Sequence, residues 1–138
     1  VIILDTNVIA ELMKGPSAGR VVRGWVRALR ETPVTTVINR AEILSGIAVL
    51  PDGRRKQALL EVAEDAFQTL GVCLPLTPES ATAYAMIVAR RREGGRPIAA
   101  MDALVAAIAV ESGAVLATRD VRDFEGLGLD LVDPWQGG

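Results

Sequence analysis

The chain has 138 residues, half of them hydrophobic, with 15 basic and 17 acidic side chains and a formal net charge of −2. That length suits one domain with a substantial core, and no run approaches the roughly 20 apolar residues that cross a membrane. Histidine is absent and Cys73 is the only cysteine, which excludes an internal disulfide, Ser-His-Asp and Cys-His mechanisms and every His-ligated metal site, and argues against a Cys-based zinc site.

Val1 to Leu4 reads as a short buried parallel strand. With no basic stretch ahead of it, this start does not read as a signal peptide, and a cytoplasmic location is expected. Asp5-Thr6-Asn7 breaks the strand and caps a helix through Val8, Ile9, Leu12 and Met13. Gly15-Pro16 stops that helix, and Ser17 is the expected N-cap of the next. Its apolar face is Val21, Val22, Trp25, Val26 and Leu29, with Arg20, Arg23, Arg27 and Arg30 on the other side.

Val34 to Val37 reads as a second strand, followed by a helix from Asn39 to Leu50 with Glu42 in its first turn. Pro51-Asp52-Gly53 is a turn. A longer helix, Arg54 to Leu70, follows, with Gly71 as its C-cap. Val72 to Leu76 is extended. Thr77-Pro78 reads as N-cap and first residue of a helix that buries Ala81, Tyr84, Ala85 and Val88 and stops at Gly94-Gly95. Ile98 to Glu111 is a helix apolar nearly all round apart from Asp102. Ala114 to Ala117 is a strand, Asp123-Phe124-Glu125 one helical turn, and Leu129 to Val132 a last strand. Strands alternating with helices predict an α/β fold, a parallel sheet with helices on both faces. With no linker, repeat or low-complexity tract, residues 1–138 read as a single domain.

Four acids interrupt apolar elements: Asp5 after the first strand, Glu42 in Ala41-Glu42-Ile43-Leu44, Asp102 in Ala99-Ala100-Met101-Asp102-Ala103-Leu104, and Asp120 after Thr118-Arg119. A carboxylate away from water is costly unless it is paired or binds a cation. Singly, Asp5 could be a cap, Glu42 a dipole-stabilised acid and Asp120 a turn residue. Asp102 has the poorest such account, because Ile98, Ala99, Val105 and Ala106 offer it no cation. In parallel sheets ligands bind beyond the carboxyl ends of the strands, and all four acids can converge there. Oxygen ligands of this kind suit Mg²⁺ or Mn²⁺.

Asp5-Thr6-Asn7, Glu42 near a helix start, Ala100-Met101-Asp102, Ala117-Thr118-Arg119-Asp120 with Asp123-Phe124, and Asp133-Pro134-Trp135 together resemble the PIN-domain ribonucleases. The nearest group is the VapC/FitB-type toxins of bacterial toxin–antitoxin pairs. The resemblance spans essentially the whole chain. It implies a three-layer α/β/α PIN-like fold around a parallel sheet, and Mg²⁺- or Mn²⁺-dependent cleavage of RNA. It makes Asp5, Glu42, Asp102 and Asp120 the catalytic, metal-binding acids, with Thr118, Asn7 and Asp123 in support. Many relatives carry Asn at the position of Asp120, so which of Asp120 and Asp123 approaches the metal stays open, with Asp120 favoured. It further implies a homodimer, which could pair into a dimer of dimers, and a cognate antitoxin lying across the site. The Ala- and Val-rich helices and Trp25 are candidate surfaces for both.

The expected mechanism is attack by metal-activated water, leaving 5′-phosphate and 3′-hydroxyl ends. Arg90, Arg91, Arg92 and Arg96 are the first candidates for RNA contact, then Arg40 and Arg119. Few aromatic residues are present for base stacking. A phosphatase using Asp5 as nucleophile is a weaker reading, since a haloacid-dehalogenase-like site wants an acid at position 7, which is Asn. A receiver domain fails for want of paired acids and a partner lysine. The remaining alternative is a PIN-like module that binds nucleic acid or protein without cutting.

Overall fold

Every strand pairing among the described residues is parallel. The computed structural model describes residues 1–15 and 18–137. Strand β1 (Ile2–Leu4) leads into helices α1 (Thr6–Leu12) and α2 (Arg20–Arg27). Strand β2 (Thr35–Thr36) leads into α3 (Val37–Ala48) and α4 (Arg54–Thr69). Then come β3 (Cys73–Leu74), α5 (Pro78–Glu93), α6 (Ala100–Ser112), β4 (Val115–Ala117) and β5 (Asp130–Val132), with 3₁₀ turns at Val121–Phe124 and Pro134–Gln136. β1 pairs with β4 and β4 with β5, while β2 pairs with β3. A bridge between Ile3 and Val34 joins the two sets. Two hydrogen bonds seal it, Leu4 N to Val34 O and Val34 N to Ile2 O, at 2.9 and 2.8 Å.

Side chains alternate across a strand, and here that alternation builds two cores. Ile3 and Leu116 face one side, with Ile87 of α5, Ala103, Val105 and Ile108 of α6, and Phe124. Leu4 and Ala117 face the other, with Val8, Ile9, Val22, Ile43, Ala63 and Phe67 from α1 to α4. Each fully buried aliphatic or aromatic side chain contributes on the order of 1.5–3 kcal/mol. The result is the expected α/β/α sandwich around a parallel sheet.

Several local expectations change. Val37 opens α3 instead of closing β2, because Thr36 is an N-cap whose Oγ1 accepts from Asn39 N at 3.2 Å. Glu42 consequently sits in the second turn. Gly71 does not cap α4. Its N–H donates to Pro33 O at 2.9 Å, and a Cβ there would lie 3.1 Å from Val34 Cγ1, so the glycine serves a close approach to the strand. In α5 the buried residues are Ser80, Ile87 and Arg91, whereas Ala81 and Ala85 are exposed. Ser80, Ile87 and Arg91 share the inward face, and the capping box formed with Thr77 satisfies the Ser80 hydroxyl there. α6 starts at Ala100, two residues later than expected. α2 starts at Arg20 behind Gly19 in the left-handed region, φ 68°. The expected stop at Pro16 and cap at Ser17 lie outside the described residues.

Candidate functional site

Parallel strands place all their carboxyl ends on one edge, and helices that lead back into the sheet begin at that edge. Asp5 follows β1, Thr118 to Asp120 follow β4, Asn39 and Glu42 follow β2 on α3, and Asp102 lies in the first turn of α6, which feeds β4.

Asp5 is only 6% exposed. Its Oδ1 accepts from Thr6 N at 2.9 Å and from Asn39 Nδ2 at 3.0 Å, and its Oδ2 from Thr118 Oγ1 at 2.8 Å. It therefore does cap α1, while also holding three elements together. Burial raises its carboxyl above the usual range and the charge of Glu42 adds to this, against the lowering effect of its three donors. Glu42 Oε1 accepts from Thr6 Oγ1 at 2.8 Å. Asn7 Nδ2 reaches Asp120 Oδ2 at 3.1 Å and Thr118 Oγ1 at 3.4 Å, and Asn7 Oδ1 accepts from Arg119 N at 3.2 Å.

Asp102 has none of these donors. Its carboxyl is pushed up to about 6, first by loss of water and then by the charges of Asp5, Asp123, Glu42 and Asp120 in that order. The five acids thus converge electrostatically on one place. Both Asp123 and Asp120 bear on Asp102, with Asp123 the larger of the two.

Asn39 went unnoticed in the sequence. It is fully buried, donates to both Asp5 and Thr6 Oγ1, and accepts from Thr36 Oγ1 at 2.7 Å. The available signal was Thr36-Val37-Ile38-Asn39, a capping residue followed three positions later by a polar one. Asn39 also precedes Glu42 by one helical turn, on the same face.

The six candidate arginines separate clearly. Arg91 is 7% exposed and donates to the carbonyls of Asp123 and Glu125 at 2.7 and 2.9 Å, so it is not a surface that RNA could lie on. Arg40 stacks on Phe67 at 4.4 Å and reaches Glu64 at 3.9 Å. Arg119 stacks on Trp135 at 4.8 Å. Arg96 donates to Arg122 O. Arg90 and Arg92 are exposed on the last turn of α5.

Known proteins resemble this chain over nearly its whole length. The PIN-domain family profile matches residues 2–128. The chain belongs to the PIN-domain family. It is 37% identical over 98% of both chains to VapC ribonuclease Y4jK of Sinorhizobium fredii. It is 34% identical to the toxin FitB of Neisseria gonorrhoeae, over 97% of this chain and 98% of that one. The crystal structure of FitAcB from N. gonorrhoeae superposes with a TM-score of 0.87 at 33% identity, covering 98% of this chain and 99% of that one. Within the family this PIN domain falls in the VapC/FitB-type group.

The donor set of this PIN domain is all oxygen, which fits a hard divalent cation. Among the described residues no three acidic side chains stand close enough to share an ion in the present arrangement. The rise of Asp102 comes first from loss of water and then from the charges of the other acids, and a bound divalent cation would offset both.

A groove of about 610 Å³ also opens between α1, α2 and α4, lined by Ile9, Leu12, Val26, Val62 and Ala66, with Arg23, Arg27 and Asp65 among its polar residues. No described helix is long and apolar enough to cross a membrane.

Proposed function

We propose that this PIN domain is a metal-dependent endoribonuclease, folded as one nuclease domain over residues 1–138, and the toxin of a cytoplasmic toxin–antitoxin pair. The observation that carries this reading is the convergence of Asp5, Glu42, Asp120 and Asp123 on Asp102, with no cation from the protein among them.

Asp5, Asp102 and Asp123 would hold Mg²⁺ or Mn²⁺, with Glu42 and Asp120 completing the set for one ion or two. When bound, the ion supplies an activated water in line with the scissile P–O bond and stabilises charge on the leaving 3′ oxygen. The chain's own contribution is orientation. Thr118, Asn39 and Thr6 N fix both oxygens of Asp5, Thr6 aims Glu42, and Asn7 ties Asp120 to Thr118. Preorganised ligands lose little freedom when the ion enters. The guanidinium groups of Arg90 and Arg92 would take RNA phosphates.

The antitoxin is assigned to the groove between α1, α2 and α4. It is apolar, open and edged by Arg23 and Arg27, which suits an amphipathic segment with acidic flanks. A second copy of the chain is assigned to the exposed apolar face of α5, where Ala81, Ala85, Met86 and Ala89 lie in the open.

The test is an incubation of purified, antitoxin-free protein with an RNA pool in Mg²⁺, Mn²⁺ or chelator, alongside Asp102→Asn. Cleavage is expected only with metal and only in the parent protein. Equal cleavage by the variant would overturn the acidic site. Absence of cleavage together with absence of metal binding by calorimetry would favour a binding module.

A further inference from the structure

Arg91 lies in the last turn of α5, where basic side chains are ordinarily solvated and favoured by the helix dipole. Its neighbours Arg90 and Arg92 follow that rule, and Arg91 does not: it is 7% exposed. Burying a guanidinium is costly without partners. Among the described residues it forms no ion pair. Its partners are backbone carbonyls, those of Asp123 and Glu125, held by the single nitrogen Nη2 at 2.7 and 2.9 Å.

Those carbonyls belong to the 3₁₀ turn Val121–Phe124 and the residue after it. A turn this short leaves its terminal carbonyls without internal donors. Arg96 adds a second point of attachment. Gly95, at φ 70°, reverses the chain after α5, so that Arg96 N donates to Arg91 O at 2.9 Å while the Arg96 guanidinium donates to Arg122 O. Carbonyls 122, 123 and 125 are therefore all gripped from the end of α5. Phe124 anchors the same turn into the core, but a side chain alone leaves the backbone on either side free to rotate.

We propose that Arg91, with Arg96 beside it, is a positioning residue for this nuclease, fixing the turn Val121–Phe124 that carries Asp123 and so setting where that acid stands at the site. This rests on the function proposed above. Arg91 touches neither substrate nor ion, and acts only through Asp123.

Two variants and one cycle test this. Arg91→Met keeps the length and the burial and removes the donors, whereas Arg91→Lys keeps the charge and loses the fork. In the metal-free protein, hydrogen exchange at the amides of residues 121–126 should quicken in Arg91→Met, with the core of α6 unchanged. Mn²⁺ affinity and RNA cleavage should fall about 10–100-fold, the usual loss when the support of a ligand is removed, and Arg91→Lys should recover part of it. Combined with Asp123→Asn, Arg91→Met should cost nothing further in Mn²⁺ affinity or cleavage. A full additional loss in that background, or wild-type exchange at 121–126, would overturn the proposal. If the parent protein itself cuts no RNA, the nuclease reading has failed, and the exchange and Mn²⁺ measurements still judge the clamp. If Arg91→Met does not fold, the same cycle is run with Arg91→Lys.

Discussion

Thr118 Oγ1 donates to Asp5 Oδ2 at 2.8 Å across 113 residues of sequence. The bond joins the carboxyl ends of β1 and β4, paired neighbours in the sheet, and it holds the most buried acid of the site. Thr118 is itself fully buried, so no water can replace its hydroxyl.

Thr118→Val keeps the shape and removes that donor, leaving a buried carboxylate oxygen unsatisfied. The expected cost is about 1–3 kcal/mol of stability, read from the midpoint of urea unfolding with an unchanged slope. RNA cleavage should fall with it, because Asp5 loses the contact that fixes one of its oxygens. An unaltered midpoint would show that the bond is not a structural constraint.

Asp102 predicts a pH dependence opposite to the usual carboxylate. Its folded value of about 6 lies above its ordinary value of 3.8, so between those limits the folded chain binds more protons than the unfolded one. Stability of the metal-free protein should therefore fall as pH rises from about 4 through about 6, then level off. Asp102→Asn removes this penalty, so it should unfold at a higher temperature than the parent at pH 7 without metal, the difference vanishing below pH 4. Saturating Mn²⁺ should stabilise the parent and leave the variant behind. Thermal melts at several pH values, with and without metal, decide it.

Asn7 and Arg119 both bear on the turn 118–120, by different means. Asn7 spends its amide on Asp120, Thr118 and the N–H of Arg119, whereas the Arg119 side chain only stacks on Trp135. Asn7→Ala should thus reduce cleavage strongly, on the order of tenfold or more. Arg119→Ala should lose about 0.5–1 kcal/mol of stability with a smaller loss of activity. Steady-state cleavage rates beside chemical unfolding separate the two.

The groove between α1, α2 and α4 gives a prediction independent of the acids. Ala66→Asp places a charge on its apolar wall. Co-expressed antitoxin should no longer co-purify, while free toxin cleaves RNA at the parental rate and therefore becomes more harmful to its host. Retention of the complex would move the antitoxin surface elsewhere.

The preference between Asp120 and Asp123 is open to the same kind of measurement. Asp123 bears more heavily on Asp102, while Asp120 is tied to Asn7. Asp123→Asn should therefore weaken Mn²⁺ binding more than Asp120→Asn, by calorimetry on the two variants.

Most of the fold was legible because it is written in local terms. Short β-branched runs alternating with helical periodicity demand a parallel sheet between helix layers, and Asp5, Glu42, Asp102 and Asp120 stand out because carboxylates in apolar elements need a reason. The absence of histidine leaves oxygen as the expected ligand chemistry for any metal held here. Tertiary structure decided what no local pattern records. It turned α5 so that Arg91 is buried and Ala81 and Ala85 are exposed, because α5 packs against α6 on the face that carries Ser80, Ile87 and Arg91. It made Asn39 the partner of Asp5, because the bridge between Ile3 and Val34 and the packing of α1 on α3 bring those chain segments together. And it brought the charges of both Asp123 and Asp120 to bear on Asp102, since the strength of one charge on another depends on distance through the folded protein and not on separation along the chain.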